Sequence, residues 1–490
     1  MIRPFEEFSL TLERIADLTS AKASEFPDVR ITGVANVDAD VEAGDLFLAF
    51  PGAKVHGADF AEEAIARGAV AVLTDAYGAS KINGVPVLEV EDARMAGAVV
   101  AAALYRNPTR DLQSVAVTGT NGKTTVTTLL YEIFERVGRS TGLIGTVNTR
   151  IGNEVLHSTR TTPEAAELQS TVAVMRERHM RHLVMEVSSH SLDMKRIVGS
   201  HFAVAAFTNL SQDHLDFHSN MESYFEAKRR LFTHEYTDTA VINIDTEYGS
   251  RLFESCEVTP ISISRLNKDA IWHFKEFHNT TSGMDFALRG SGGILIESST
   301  QLHGAFNLDN LMAAIAIAVE LGVDPLEIAL IAPKLKGAPG RMEGVNLGQP
   351  FKALVDYAHS PDAVVNVLLA AREFTEGKLI AVLGCGGDRD ASKRPLMGQA
   401  LVEGSDFAIM TSDNPRSEDP EVILQQMSAN TSGKIILDRR EAIAAAVKLA
   451  TAGDTVMILG KGHETGQEIA GITHDFDDRL ELARAIEAKK

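Results

Sequence analysis

The sequence predicts an α/β protein of three domains built on doubly wound sheets, and three observations carry that reading. Short apolar runs of strand length alternate with longer stretches of helical periodicity from Ile31 onward. One of these runs ends in a glycine-bounded loop closing on Lys-Thr, the strand, loop and helix order of a phosphate-binding loop. Two punctuated stretches, Asn107-Pro108-Thr109 and Lys336-Gly337-Ala338-Pro339-Gly340, divide the 490 residues into pieces of domain size. The expected domains are 1–112, 113–337 and 338–490.

In the first region, strands at Val70 to Thr74 and Val85 to Val90 alternate with alanine-rich helices at Phe60 to Arg67 and Ala93 to Tyr105. The second opens with the apolar strand before the loop. A helix follows, marked by Val126, Leu129, Leu130, Ile133, Phe134 and Val137 at three- and four-residue steps, with Gly138 as its C-cap. Its further strands are His182 to Val187 and Phe202 to Thr208, and a helix spans Met221 to Phe232. The third region has strands at Ala353 to Val355, Leu379 to Leu383, Phe407 to Met410 and Thr455 to Leu459. In such sheets ligands gather at the carboxyl ends of strands.

Hydrophobic residues make up 44% and charged residues 23%, enough apolar material for several cores. Two cysteines, Cys256 and Cys385, exclude a disulfide framework or a zinc cluster and fit a reducing cytoplasm. The N-terminus lacks a basic segment followed by an apolar core, and the apolar stretch Val99 to Leu104 is too short to span a bilayer, so a cytoplasmic monomer without membrane insertion is expected. A net charge of −20 opposes binding to nucleic acid. An anionic substrate must therefore be held by local arginines and helix ends.

The loop itself reads Gly119-Thr120-Asn121-Gly122-Lys123-Thr124-Thr125. Its backbone N–H groups can face phosphate oxygens, Lys123 can reach the terminal phosphates, and the Thr124 hydroxyl can ligate Mg²⁺. The phosphates would sit at a helix N-terminus, where the dipole favours anions. A nucleoside triphosphate with Mg²⁺ is the ligand this implies. Glu186, at the tip of the strand Met185-Glu186-Val187, is a candidate Mg²⁺ ligand, although a solvent-facing strand-end glutamate reads equally well. His214, in Ser211-Gln212-Asp213-His214, is another candidate, against an ordinary surface histidine. Lys228 falls in the middle of an apolar stripe formed by Tyr224, Phe225, Leu231 and Phe232, while Arg229 and Arg230 point elsewhere. A buried ammonium is costly, so Lys228 either snorkels or changes its chemical state, for example to a carbamate that can ligate Mg²⁺.

With these motifs in order, the chain resembles the Mur ligase family over nearly its whole length. The resemblance rests on Thr118 to Thr125, Thr161-Thr162-Pro163, Glu186 to His190 with Arg196, Asn209 to Asp216, Tyr224 to Lys228, Gly304 to Asn307 with Asn310, Gly340 to Glu343, Asp356 to His359, Gly384 to Arg389, Asp413 to Arg416 and Gly460 to Glu464. It implies a central P-loop ATPase domain between a UDP-substrate domain and a Rossmann-like C-terminal domain that binds an amino acid. It also implies that Lys228 is carbamylated, with Glu186 and His214 beside it on Mg²⁺. Thr161, Thr162, Ser188 and Arg196 match positions holding a UDP-N-acetylmuramoyl dipeptide; Asn307 and Asn310 match positions near adenine; Arg341, Asp356 and His359 match positions that close on ATP. One departure stands out: Val37-Asp38-Ala39 replaces the Asp-Ser-Arg common in the family, while Gly44 to Phe47 and Pro51-Gly52 remain.

The implied reaction is ATP-dependent amide formation in peptidoglycan precursor synthesis. The D-glutamyl γ-carboxylate attacks the ATP γ-phosphate, and an incoming amine then attacks the acyl phosphate, with domain closure excluding water. Asp413-Asn414-Pro415-Arg416 follows the strand Phe407 to Met410, and arginine is suited to bidentate capture of a carboxylate. Meso-diaminopimelate has a second carboxylate on its distal carbon and lysine has none. Arg416 thus favours the former, and the family resemblance adds Arg389, Gly460 and Glu464 to the pocket, Glu464 pairing with the distal ammonium. The rivals are the same reaction with lysine, a folylpolyglutamate or cyanophycin-type ligase, and a homologue without turnover.

Overall fold

The computed structural model describes residues 1–22, 28–52, 54–213, 217–280 and 282–489, which form two compact units: Met1–Ser264 with Ala313–Val323, and Arg265–Met312 with Asp324–Lys490. In the first unit, four parallel strands pair in chain order, Gly33–Ala35, Asp45–Ala49, Ala71–Thr74 and Val87–Glu89. Leu46, Phe47, Leu48, Val72 and Leu73 are buried on both faces, as continuous apolar strands covered by helices require. Helix Ala93–Leu104 packs on helix Ala165–Glu177, which follows the Thr161-Thr162 segment. The Val37-Asp38-Ala39 departure lies at a short 3₁₀ turn, Asp38–Asp40, with Val37 exposed.

A larger sheet in the same unit positions the glycine-bounded loop. The loop strand Gln113–Thr118 lies between the parallel strands His182–Glu186 and Phe202–Phe207, with Glu186 opposite Val117 and Phe207 opposite Thr118. That register brings Glu186 and the residues after Phe207 level with the loop. Thr141–Ile144 and Thr237–Asn243 extend the parallel order on either side. The helix after the loop, Lys123–Arg136, buries Val126, Leu129, Leu130, Ile133 and Phe134. It ends one turn position earlier than expected, with Gly138 just beyond its cap at φ +75°. The expected helix Met221 to Phe232 is α-helical through Arg229 and closes as a 3₁₀ turn over Arg230–Phe232.

The second unit is organised by six strands in the order Glu343–Gly344, Lys352–Asp356, Thr455–Leu459, Leu379–Cys385, Phe407–Ser412, Lys434–Ile435, all parallel except the first. This is a Rossmann-like sheet, and its strand ends carry Asp356, Asp413 and Gly460. The stretch Lys336–Gly340, expected as a linker, falls inside this unit. An antiparallel meander, Trp272–Thr280, Gly283–Arg289 and Leu295–Thr300, was not expected from sequence. Its first strand is exposed over most of its length and broken by a bulge between Phe274 and Glu276, so the period-2 signal is lost there. Among the described residues no helix is long and apolar enough to cross a membrane.

Candidate active site

In the first unit the loop departs from a buried strand at Gly119, whose φ of +147° and a neighbour at 2.0 Å from any added Cβ, Thr208 Oγ1, both demand glycine. Gly122, at φ +88°, is the N-cap of the helix that begins at Lys123. The loop is braced from the adjacent strand end. Asn209 Oδ1 accepts from the Asn121 N–H at 3.0 Å, Thr208 Oγ1 donates to the Asn121 carbonyl at 2.5 Å, and Thr120 N–H donates to the Asn209 carbonyl at 2.9 Å. Thr120 Oγ1 also meets the Tyr224 hydroxyl at 3.2 Å. Lys123 folds over the loop, its Nζ 2.9 Å from the carbonyls of both Gly119 and Thr120.

The structure brings Thr124 and Glu186 together: Thr124 Oγ1 donates to Glu186 Oε2 at 3.0 Å. Glu186 is buried, and Thr146 holds it further, the Thr146 N–H donating to Oε1 at 2.8 Å and its hydroxyl to Oε2 at 3.0 Å. Glu186 is therefore a fixed inward carboxylate, which removes the solvent-facing reading. Lys228 is 1% exposed, its Nζ 2.9 Å from the Gly119 carbonyl. It does not snorkel. Burial, with the nearby Lys123 ammonium adding to it, holds Lys228 well below the ordinary lysine range, against a smaller opposing pull from Asp213. His214 lies outside the described residues. Among the described residues no group of three His, Cys, Asp or Glu is placed to hold a metal. One hydroxyl and one carboxylate nevertheless suit Mg²⁺, which takes one or two carboxylates and completes its shell with phosphate and water.

The UDP-substrate candidates adjoin this centre. Thr161 Oγ1 meets Thr146 Oγ1 at 3.0 Å, and Thr162 Oγ1 donates to the Glu186 carbonyl at 2.9 Å while accepting from the Ser188 N–H at 3.2 Å. Ser188 caps the short helix Ser189–Asp193, its hydroxyl accepting from the Ser191 N–H. Arg196 donates to the Thr162 carbonyl at 3.1 Å and pairs with Glu164 at 2.9 Å, and burial lowers its pKa. Arg94 reaches the same glutamate at 3.3 Å. Sequence reasoning missed Thr146, Glu164 and Arg94, since a lone threonine or a surface-type ion pair carries no signal of its own.

The second unit holds the other candidates. Asn307 is buried on helix Ala305–Glu320, its amide donating to the His303 carbonyl at 2.9 Å and accepting from Asn310 at 3.2 Å. Asp356 accepts from the N–H groups of Met342 and Ala358, each at 2.8 Å, which ties the Gly340 loop to the strand end; burial raises its pKa and Arg341 opposes the rise. Arg341 lies over the Tyr357 ring at 5.0 Å, and the His359 ring packs against the same tyrosine with centroids 4.6 Å apart.

Around the Asp413 strand end, Asn414 donates to Glu464 at 2.8 Å, and the Pro415 carbonyl packs where a Cβ on Gly387 would clash. Arg416 has φ +52°, and its guanidinium donates to the Gly387 carbonyl at 2.7 Å with Glu468 at 3.4 Å. A Cβ on Gly386 would meet Arg416 at 3.1 Å and Arg389 at 3.7 Å, so both arginines border this glycine. Gly460 has φ +113°, and a Cβ there would meet Asp413 Oδ2 at 2.6 Å. Lys461, fully buried, reaches Asn414 and Glu464 and was also missed as a site residue.

Three family models match the chain: the Mur ligase middle domain over residues 117–318, the Mur ligase glutamate ligase domain over 340–462 and the Mur ligase family catalytic domain over 30–107. A UDP-N-acetylmuramoyl-L-alanyl-D-glutamate–2,6-diaminopimelate ligase of Streptomyces coelicolor is 47% identical over 496 residues, covering 99% of this chain and 98% of its own. The enzyme of that name from Bacillus velezensis is 41% identical, covering 94% and 96%. A solved structure with the same name superposes with a TM-score of 0.74 at 34% identity, covering 98% of this chain and 99% of that one. A MurF structure from Acinetobacter baumannii, at 19% identity and a TM-score of 0.64, shares the fold. With the phosphate loop, its glutamate and the strand-end motifs of the second unit in the places described, the chain belongs to the Mur ligase family.

Proposed function

We propose that the chain is an ATP-dependent ligase that joins meso-2,6-diaminopimelate to the D-glutamate of UDP-N-acetylmuramoyl-L-alanyl-D-glutamate in the cytoplasm. The observation that carries the amino-acid assignment is Arg416, set at a strand end with its guanidinium fixed by the Gly387 carbonyl and only a quarter exposed. Relatives bearing that activity in their names align along almost the entire chain.

The loop N–H groups and Lys123 would bind the β- and γ-phosphates, with the helix N-terminus adding its partial positive charge. Thr124 and Glu186, with His214 and a carbamylated Lys228, would hold Mg²⁺, which when bound neutralises charge on the phosphates. The low proton affinity of the buried Lys228 favours the neutral amine that reacts with CO₂. Thr161, Thr162, Ser188 and Arg196 would orient the dipeptide, so that a γ-carboxylate oxygen bonds to the γ-phosphorus as the bridge to ADP breaks. Asn307, Asn310, Arg341, Asp356 and His359 would bind the rest of ATP. Asp413, Asn414, Arg416, Arg389 and Glu464 would present the amine, which bonds to the acyl carbon, releases phosphate and gives up a proton.

Purified chain, ATP, Mg²⁺ and the UDP-dipeptide, assayed across diaminopimelate, lysine and ornithine, test this reading. Product with diaminopimelate above the other two supports it, and preference for lysine or no amino-acid product overturns it.

A further inference from the structure

The strand Thr455–Leu459 ends at Gly460, and the next side chain, Lys461, turns inward to complete burial. A buried ammonium must be matched by acceptors. Lys461 Nζ has three within reach: Asn414 Oδ1 at 3.0 Å, Glu464 Oε2 at 3.1 Å and Asp413 Oδ1 at 3.8 Å. All three belong to the two motifs that form the amino-acid pocket.

The first consequence is orientation. Asn414 Oδ1 accepts from Lys461 and from the Glu468 N–H at 3.0 Å, which leaves its Nδ2 to donate to Glu464 Oε2 at 2.8 Å. The amide has one satisfied orientation, set by the lysine. Both bonds to Glu464 fall on Oε2, which fixes one oxygen of a side chain that is one-third exposed.

The second consequence is charge. Arg439, the other buried cation nearby, is committed to Asp478 through bonds of 2.7 and 2.6 Å and neutralises it. Lys461 is the ion-pair partner of Glu464 at 3.1 Å, and Asp413 lies 3.8 Å from the same ammonium, its pKa raised by burial against the pull of Arg439 and Lys461.

We propose that Lys461 is a positioning residue of the amino-acid pocket, holding Asn414 and Glu464 in register from within the fold. The inference rests on reading this strand end as the amino-acid site. Lys461→Met keeps the length of the side chain and removes its charge; Lys461→Ala leaves room for a small amine. With the full chain, ATP and the UDP-dipeptide, initial rates of diaminopimelate ligation are measured for both variants, with and without ethylammonium. The expected result for Lys461→Met is a rise in KM for diaminopimelate of more than about 30-fold, with a much smaller change in kcat, as for truncating one partner of a buried charge pair. Lys461→Ala should show saturable recovery with ethylammonium, and that recovery should be absent in Lys461→Ala combined with Glu464→Gln. An unchanged KM, or loss in kcat and KM alike that ethylammonium does not restore, overturns the proposal. A wild-type chain that ligates no diamino acid overturns instead the reading on which it rests.

Discussion

Single side chains in the first unit are the ones proposed for the phosphate chemistry, and each makes a separable prediction. Lys123 lies against the Gly119 and Thr120 carbonyls, poised over the loop that would cradle the phosphates. Lys123→Ala removes the fixed cation and should slow acyl phosphate formation by more than about a hundredfold, measured as ADP release in the presence of the UDP-dipeptide. Near-normal release would remove the loop from the mechanism. Lys228 makes a different case, because its burial and its lowered proton affinity both argue for a changed chemical state. Lys228→Ala should be nearly inactive, and formate or acetate should restore part of the activity by filling the vacated oxygen position. Density for a bare ammonium at Lys228 in an enzyme fully active without CO₂ would contradict the carbamate. The lysine's central place in an apolar stripe was legible from spacing alone. Its partners were not, since Gly119 and Thr118 lie more than a hundred residues away.

Elements position these side chains through strand register, and two tests belong at this scale. Gly119 forms the corner between strand and loop; Gly119→Ala must force a Cβ onto Thr208 Oγ1 at a φ of +147°. We expect a stability loss on the order of 2 kcal/mol, the scale of a strained backbone position, with weakened ATP binding by calorimetry. The second test is pH. His182, at the start of the strand that ends in Glu186, is fully buried and stacked on Phe134 of the loop helix at 4.2 Å. Burial, with Arg139 and Arg181 adding to it, lowers its pKa to about 4. The unfolded chain takes up this proton near pH 6.5 and the folded one only near 4. Stability is thus fully present above pH 6.5 and falls as the pH drops toward 4, by about 3 kcal/mol for this one group. His182→Leu should flatten the fall in thermal midpoint over that window; an equally steep fall would assign the acid sensitivity elsewhere. At this scale the sequence was informative where strands are buried on both faces, as at Leu379–Cys385 and Phe202–Phe207. It was silent on the meander from Trp272 to Thr300, whose exposed, bulged first strand lacks alternation.

At the scale of the whole molecule, the chain's pieces are not simply consecutive. The chain passes from one compact unit to the other after Ser264, Met312 and Val323, so each is built from two stretches of sequence. Local punctuation such as Lys336–Gly340 cannot reveal that, because glycine and proline mark turns within a unit as readily as links between units. The ordered motifs nevertheless identified the family, and those at Thr118, Glu186, Asp356, Asp413 and Gly460 lie at the carboxyl ends of parallel strands, where binding residues of such sheets collect. Thr146 and Lys461 escaped because their importance lies in whom they touch: Thr146 holds Glu186, and Lys461 holds Glu464. Selection of diaminopimelate by its distal carboxylate, through Arg416, is the part of the proposed function that sets specificity. The most direct test is the ratio of kcat/KM for meso-diaminopimelate to that for lysine, in the wild type and in Arg416→Ala. The wild-type ratio should be well above one and should fall by roughly 2 to 5 kcal/mol in the variant, the cost of truncating a buried charge partner, while the lysine value changes little. A wild type that prefers lysine, or a variant in which both substrates decline together, would contradict it.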